Sequence, residues 1–166
     1  LAGNLLARLG DPRRHLLDLD AMRFCAVPRG AFWMGDEGDR EAPLHRNETL
    51  DYDYWIAQAP VTVAQFRQFL ASAPDQSVDP ERWRGRPENG PVVGVTWHQA
   101  LAFCAWLTGR LRGRLPAGWE VTLPSEAEWE KAARGGEQIP AQVGVMSLEQ
   151  GLCAVPADLV DNPLAQ

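Results

Sequence analysis

Residues 121–136 constrain the fold more than any other stretch, because every local rule agrees there. Val121 and Leu123 alternate around Thr122, which suits a half-buried strand. Pro124 has no N–H to give a ladder and ends that strand. Ser125 is placed to cap a helix by accepting the Glu128 N–H, and Glu128 can reach back to the Ser125 N–H in a capping box. Glu126 and Glu128 sit at the positive end of that helix, Lys131 and Arg134 at the negative end. Glu130 and Arg134, four apart, can pair. Gly135 and Gly136 supply the left-handed stop. Trp129, Ala132 and Ala133 share one face, the expected docking face. Such consistency marks a strand, a corner and a helix whose shape is strongly specified.

Two more helices begin the same way. Thr62 with Gln65 and Thr96 with Gln99 form capping boxes. The first of these helices is expected to run to about Ser72 and to bury Val63, Phe66, Phe69 and Leu70. The second should bury Ala100, Phe103, Cys104 and Leu107 and stop near Thr108, with Gly109 as its terminator. Residues 23–28 and 31–34 read as two strands of a hairpin turned by Pro28-Arg29-Gly30. Leu50, Tyr52, Tyr54 and Ile56 alternate with Asp51, Asp53 and Trp55, the clearest strand pattern in the chain. Residues 1–10 have helical leucine spacing, closed by Gly10 and Pro12, and are too short to stand alone. Residues 137–166 hold no Lys or Arg and no sustained period, and are expected to be an extended loop or insertion. The domain reading is therefore 1–20 as N-terminal helix and linker, 21–136 as the main body and 137–166 as loop.

Charge narrows the function classes. The net charge is −6, which argues against a broad nucleic-acid or anionic-membrane surface. No apolar run reaches membrane-spanning length. Arg82-Trp83-Arg84-Gly85-Arg86 interleaves a ring with positive charges and could stack on a base, but a tryptophan pinning the long loop 74–91 is the better reading. Arg110, Arg112 and Arg114 form a second basic run, expected to be exposed. Three widely spaced cysteines make no metal pattern, and their odd number argues for reduced thiols and a cytoplasmic setting.

The candidate chemistry is thin. Asp36, Glu37 and Asp39 cluster near Gly38, but without the spacing of a calcium loop, so a solvated turn is preferred. Glu41 and His45 could ligate a metal but lack an adjacent third ligand. Asp51 and Asp53 share a strand face as paired carboxylates would, although a solvent-facing surface is the commoner case. Cys25 and Cys104 are both read as buried, inert thiols, and Cys153 as the most exposed one. His98 opens a helix with no acid or thiol beside it in sequence.

Five segments in order resemble the formylglycine-generating-enzyme, or sulfatase-modifying-factor, domain family. They are Val27-Pro-Arg-Gly-Ala-Phe-Trp-Met-Gly35, Glu41-Ala-Pro-Leu-His45, Ala59-Pro-Val-Thr62, Pro91-Val-Val-Gly-Val-Thr-Trp97 with Ala102-Phe-Cys-Ala-Trp106, and Leu123-Pro-Ser-Glu-Ala-Glu-Trp-Glu130 running on to Gly136. Order and spacing match from about Phe24 to Gly136. The resemblance implies an α+β, C-type-lectin-like fold, of which this chain carries the N-terminal half and is therefore incomplete. Val63 stands where the family usually has Asn, removing a polar group at a helix start.

The oxidase members of that family use a cysteine pair near the C-terminal end of the domain to hold copper, and their calcium sites also lie in the later half. Cys25, Cys104 and Cys153 do not match that pair. No catalytic, cofactor-binding or metal-binding residue is therefore assigned here. Leu6-Ala-Arg-Leu-Gly-Asp-Pro-Arg13 resembles the linker before such domains in large bacterial multidomain proteins, where a signalling, protease-like or nucleotide-binding module often precedes them. The expected function is a ligand- or partner-binding, sensor-type module of a larger bacterial protein. The alternative is a formylglycine-generating-type oxidase of cysteine, or a related iron-dependent sulfoxide synthase, with its active site in the later half. The remaining half of the domain, or another chain, is expected to complete the fold.

Overall fold

The computed structural model describes residues 2–72, 78–136 and 153–156. Among these residues there are four α-helices: α1 (Ala2–Leu9), α2 (Val63–Ser72), α3 (Trp97–Leu111) and α4 (Glu126–Arg134). Six strands accompany them: β1 (Phe24–Val27), β2 (Phe32–Met34), β3 (His45–Asn47), β4 (Tyr54–Ala57), β5 (Trp119–Thr122) and β6 (Cys153–Pro156). They form a four-stranded antiparallel sheet, ordered β1-β4-β6-β5, and a separate two-stranded sheet of β2 and β3. The chain is α+β, as its motifs imply.

All three capping boxes form. Thr62 Oγ1 accepts from Gln65 N at 3.3 Å while Gln65 Oε1 accepts from Thr62 N at 3.0 Å. The Thr96–Gln99 and Ser125–Glu128 boxes close in the same reciprocal way. The first box also binds the N-terminal strap. Thr62 Oγ1 donates to Leu16 O, Gln65 Nε2 to His15 O and Gln68 Nε2 to Leu17 O. This lets the strap bury Leu16, Leu19 and Met22 without stranding its carbonyls.

The main core lies between α2, α3 and the larger sheet. Phe66, Phe69, Phe103 and Trp83 meet as one ring cluster, with Phe66 stacked on Phe103 at 5.4 Å and Trp83 edge-on to Phe66 at 5.6 Å. Val63 is fully buried in this core, in keeping with an apolar residue there. A second, smaller core joins Phe32, Leu50 and Tyr54 beneath the two-stranded sheet.

Four expectations are corrected. Pro28-Arg29-Gly30 does not turn a hairpin: β1 pairs with β4 and β2 with β3, so the corner passes the chain from one sheet to the other. Gly109 does not end α3, which continues to Leu111; burial of Leu111 on the same face offsets the roughly 1 kcal/mol glycine cost. The strand expected over 50–56 is ladder-paired only over β4, although Leu50, Tyr52 and Tyr54 still turn inward. Part of 137–166 is not loop, because β6 inserts between β4 and β5, opposite Ile56 and Val121. Among the described residues, no helix is long and apolar enough to cross a membrane.

Candidate functional site

Helix α4 lies beside β2 and Tyr54 of β4, and its polar side chains bind the segments that flank these strands. Glu128 is 5% exposed. Its Oε2 accepts from Ser125 N at 2.6 Å, its Oε1 from the Tyr52 hydroxyl at 3.1 Å, and its backbone carbonyl from the Tyr54 hydroxyl at 2.6 Å. Three residues on, Lys131 is 3% exposed and donates to Gly30 O at 2.7 Å. Burial lowers the Lys131 pKa and Asp53 opposes that shift. Glu130 accepts from Gly35 N at 2.8 Å and from Arg134 Nε at 2.9 Å. Gly35 has φ +92°, and a Cβ there would lie 2.5 Å from Pro43 O, so only glycine fits beside the 42–43 backbone.

The docking face of α4 is thus polar, which corrects the expected apolar one. Glu128 and Lys131 are the buried residues, while Trp129, Ala132 and Ala133 are only half-buried. The face meets backbone carbonyls, backbone amides and tyrosine hydroxyls, and those groups need partners once water is gone. The i, i+3 spacing of Glu128 and Lys131 was a readable signal for this shared face.

The other candidates fall elsewhere. Asp36 Oδ1 accepts from Gly38 N, and Asp39 Oδ1 from Glu41 N and Ala42 N, so residues 36–42 are a carboxylate-held turn. His45 and Glu41 are exposed, and the His45 ring bonds Pro43 O at 2.9 Å. Asp51 and Asp53 are exposed; Asp53 accepts from Arg29 N at 2.8 Å and so stabilises the corner. Trp83 is fully buried and donates Nε1–H to Val93 O, which pins the long loop. The Arg110–Arg114 run is not simply solvated: Arg110 grips the Asp20 carboxylate with two bonds beside the Trp106 ring, and Arg114 donates to Asp20 O. His98 lies exposed next to Trp97, their rings edge-to-face at 5.1 Å.

The thiols divide. Cys104 is buried on α3, and loss of solvent pushes its pKa up to about 12. Cys25 is exposed on β1, contrary to the buried reading, because β1 turns Phe24 and Val27 inward instead. The Cys153 side chain, residues 1, 73–77 and most of 137–166 lie outside the description, and with them the expected exposure of Cys153.

Sequence reasoning did not single out a buried node at the N-terminal end. The Asp11 carboxylate accepts from Arg13 N, Nε and Nη2 and from Asn89 Nδ2. Arg13 first, then Asn89, hold its pKa well below the usual carboxylate range.

With this geometry in place, comparison with known proteins decides the family. The family model described as "sulfatase-modifying factor enzyme 1-like domain" matches residues 15–146. The chain belongs to this family. It is 31% identical to a formylglycine-generating enzyme of Streptomyces coelicolor, covering 66% of this chain and 46% of that one. It is 52% identical to an inactive C-alpha-formylglycine-generating enzyme 2 of Mus musculus, covering 80% and 54%. It is also 36% identical to a serine/threonine-protein kinase Pkn1 of Chlamydia trachomatis, covering 62% of this chain and 17% of that one. The structure of PvdO from Pseudomonas aeruginosa shares the fold, with a TM-score of 0.53, 23% identity, and coverage of 74% of this chain and 52% of that one. The sulfatase-modifying-factor chain thus spans about half or less of the relatives it matches.

The described residues do not fit the metals that the family implies. No group of three or more His, Cys, Asp or Glu side chains among them could hold a metal ion. The acidic turn at 36–42 directs its carboxylates to backbone N–H groups rather than into a common oxygen cage. A buried protonated thiol on α3 and an exposed one on β1 do not make a thiolate pair for copper.

Proposed function

We propose that this chain provides the platform half of a sulfatase-modifying-factor domain that binds a ligand or partner within a larger protein. The observation that carries this reading is the orientation of the α4 signature. Glu128, Glu130 and Lys131 direct their charged atoms to Ser125, Tyr52, Gly35 and Gly30, so the segment holds loops instead of offering groups to a substrate. A rigid platform with loops fixed at both sheets suits recognition by variable surface residues. The mouse relative named as inactive is in keeping with family members that do not oxidise cysteine.

The second reading is a formylglycine-generating oxidase whose reacting groups lie in the later half of the domain. The identity to the Streptomyces enzyme favours it. Incubating the full-length protein with copper(I) and a cysteine-containing peptide separates the two. Unchanged peptide and no stoichiometric copper–thiolate absorption are expected. Aldehyde formation, or one tightly bound thiolate copper per chain, would overturn the binding reading.

A further inference from the structure

Helix α1 has eight residues, a length that is marginal in water on its own. Little apolar contact holds it, since Leu5 is 58% and Leu9 75% exposed. The Asn89 amide ties it to the body. Asn89 Nδ2 donates one hydrogen to Gly3 O at 3.0 Å, inside α1, and the other to Asp11 Oδ2 at 2.6 Å, just past its end. The Asp11 side chain is wholly buried. Asn89 itself sits in a tight turn that carries the α2 N-terminus: Gly90 O accepts from Val63 N and Glu88 O from Ala64 N. A Cβ on residue 90 would come within 3.1 Å of Pro87, so the turn favours glycine after the asparagine.

We propose that Asn89-Gly90 is a modification site, where deamidation of Asn89, once α1 has left the body, stops it from returning. In an asparagine–glycine pair the Gly90 nitrogen can attack Asn89 Cγ without hindrance from a side chain. The N–Cγ bond forms, the Cγ–Nδ2 bond breaks, and ammonia leaves with the proton of the Gly90 amide. Water then opens the cyclic imide to aspartate or isoaspartate. While α1 is docked the step is blocked at both ends. Gly90 N donates to Pro87 O at 2.9 Å, and both hydrogens of the Asn89 amide are held. Undocking takes the Gly3 carbonyl away and frees one hydrogen of the amide. The product carboxylate would face the Asp11 carboxylate and the Gly3 carbonyl with no hydrogen to share, so like charge and lost bonds both oppose redocking. The node therefore records that α1 has been displaced, whatever ligand the domain takes.

The test uses the full chain and hydrogen exchange read by mass. In N89D, amides of residues 2–9 should exchange at least about tenfold faster than in wild type, from loss of a charge-assisted bond, while α3 amides stay unchanged. Wild-type protection of residues 2–9 in N89D would overturn the proposal. If N89D does not fold, ageing supplies an independent reading. Conversion of Asn89 to the acid, followed on the tryptic peptide 85–110, should be faster in D11A than in wild type. Equal rates in the two would overturn it.

Discussion

Cys104 and Cys25 carry the same thiol into opposite environments. Cys104 lies among the phenyl rings of the core, where the thiolate would lack solvation, and its pKa rises to about 12. Cys25 lies on an exposed face of β1. A maleimide added to the native chain at neutral pH should label Cys25 within minutes and leave Cys104 unlabelled until denaturant is added; peptide mapping separates both from Cys153. Native labelling of Cys104 would contradict its burial. The sequence made one of these legible and not the other. Cys104 sits at helical spacing with Phe103 and Leu107, so its face was readable from periodicity. Cys25 sits in a four-residue strand where the inward residues are Phe24 and Val27, and that spacing departs from simple alternation. Asp11 and Asn89 escaped for another reason: they are 78 positions apart, and only the folded chain brings them together.

Helix α4 shows how a segment with perfect local signals can still hide its role. Its cap, its dipole charges and its glycine stop were all legible, because each depends on neighbours within four residues. Which face it buries depends on what lies opposite, and there a tyrosine hydroxyl and a loop amide select carboxylates, and a loop carbonyl an ammonium, over the Trp129 ring. The corner at 28–30 escaped similarly. A proline–arginine–glycine turn serves a hairpin or a sheet-to-sheet crossing equally well, and only long-range pairing distinguishes them. These roles predict an order of effects. Ser125→Ala removes one cap bond and should cost about 1 kcal/mol. Glu128→Ala removes two bonds to a carboxylate, the return cap bond from Ser125 N and the bond from the Tyr52 hydroxyl, and should cost about 3 kcal/mol. Denaturant midpoints measured by circular dichroism check this. Equal losses in the two variants would mean that the Glu128 contacts beyond the cap contribute nothing.

At the scale of the whole molecule, two cores of unequal size meet across the β1–β4 ladder, and α4 adds polar ties to the loops beside the smaller one. Among the described residues the larger has fourteen buried members, the smaller three: Phe32, Leu50 and Tyr54. A two-stranded sheet is marginal by itself, and β2 and β3 are three residues each. The larger sheet is better served, because β6 fills its centre from a stretch with no readable pattern; four residues become strand only where β4 and β5 offer their edges. We propose that the rest of the domain, in the same or another chain, covers the smaller core. Native-state hydrogen exchange can measure this. In the 166-residue chain, β2 and β3 amides should exchange by local opening, at least about tenfold faster than α2 and α3 amides, which need global unfolding. In a longer chain that continues past residue 166, the β2 and β3 rates should fall toward those of the helices while the helix rates change less. Strand amides that exchange at one rate in both chains would sink the idea, since the smaller core would then need nothing beyond α4 to stay closed.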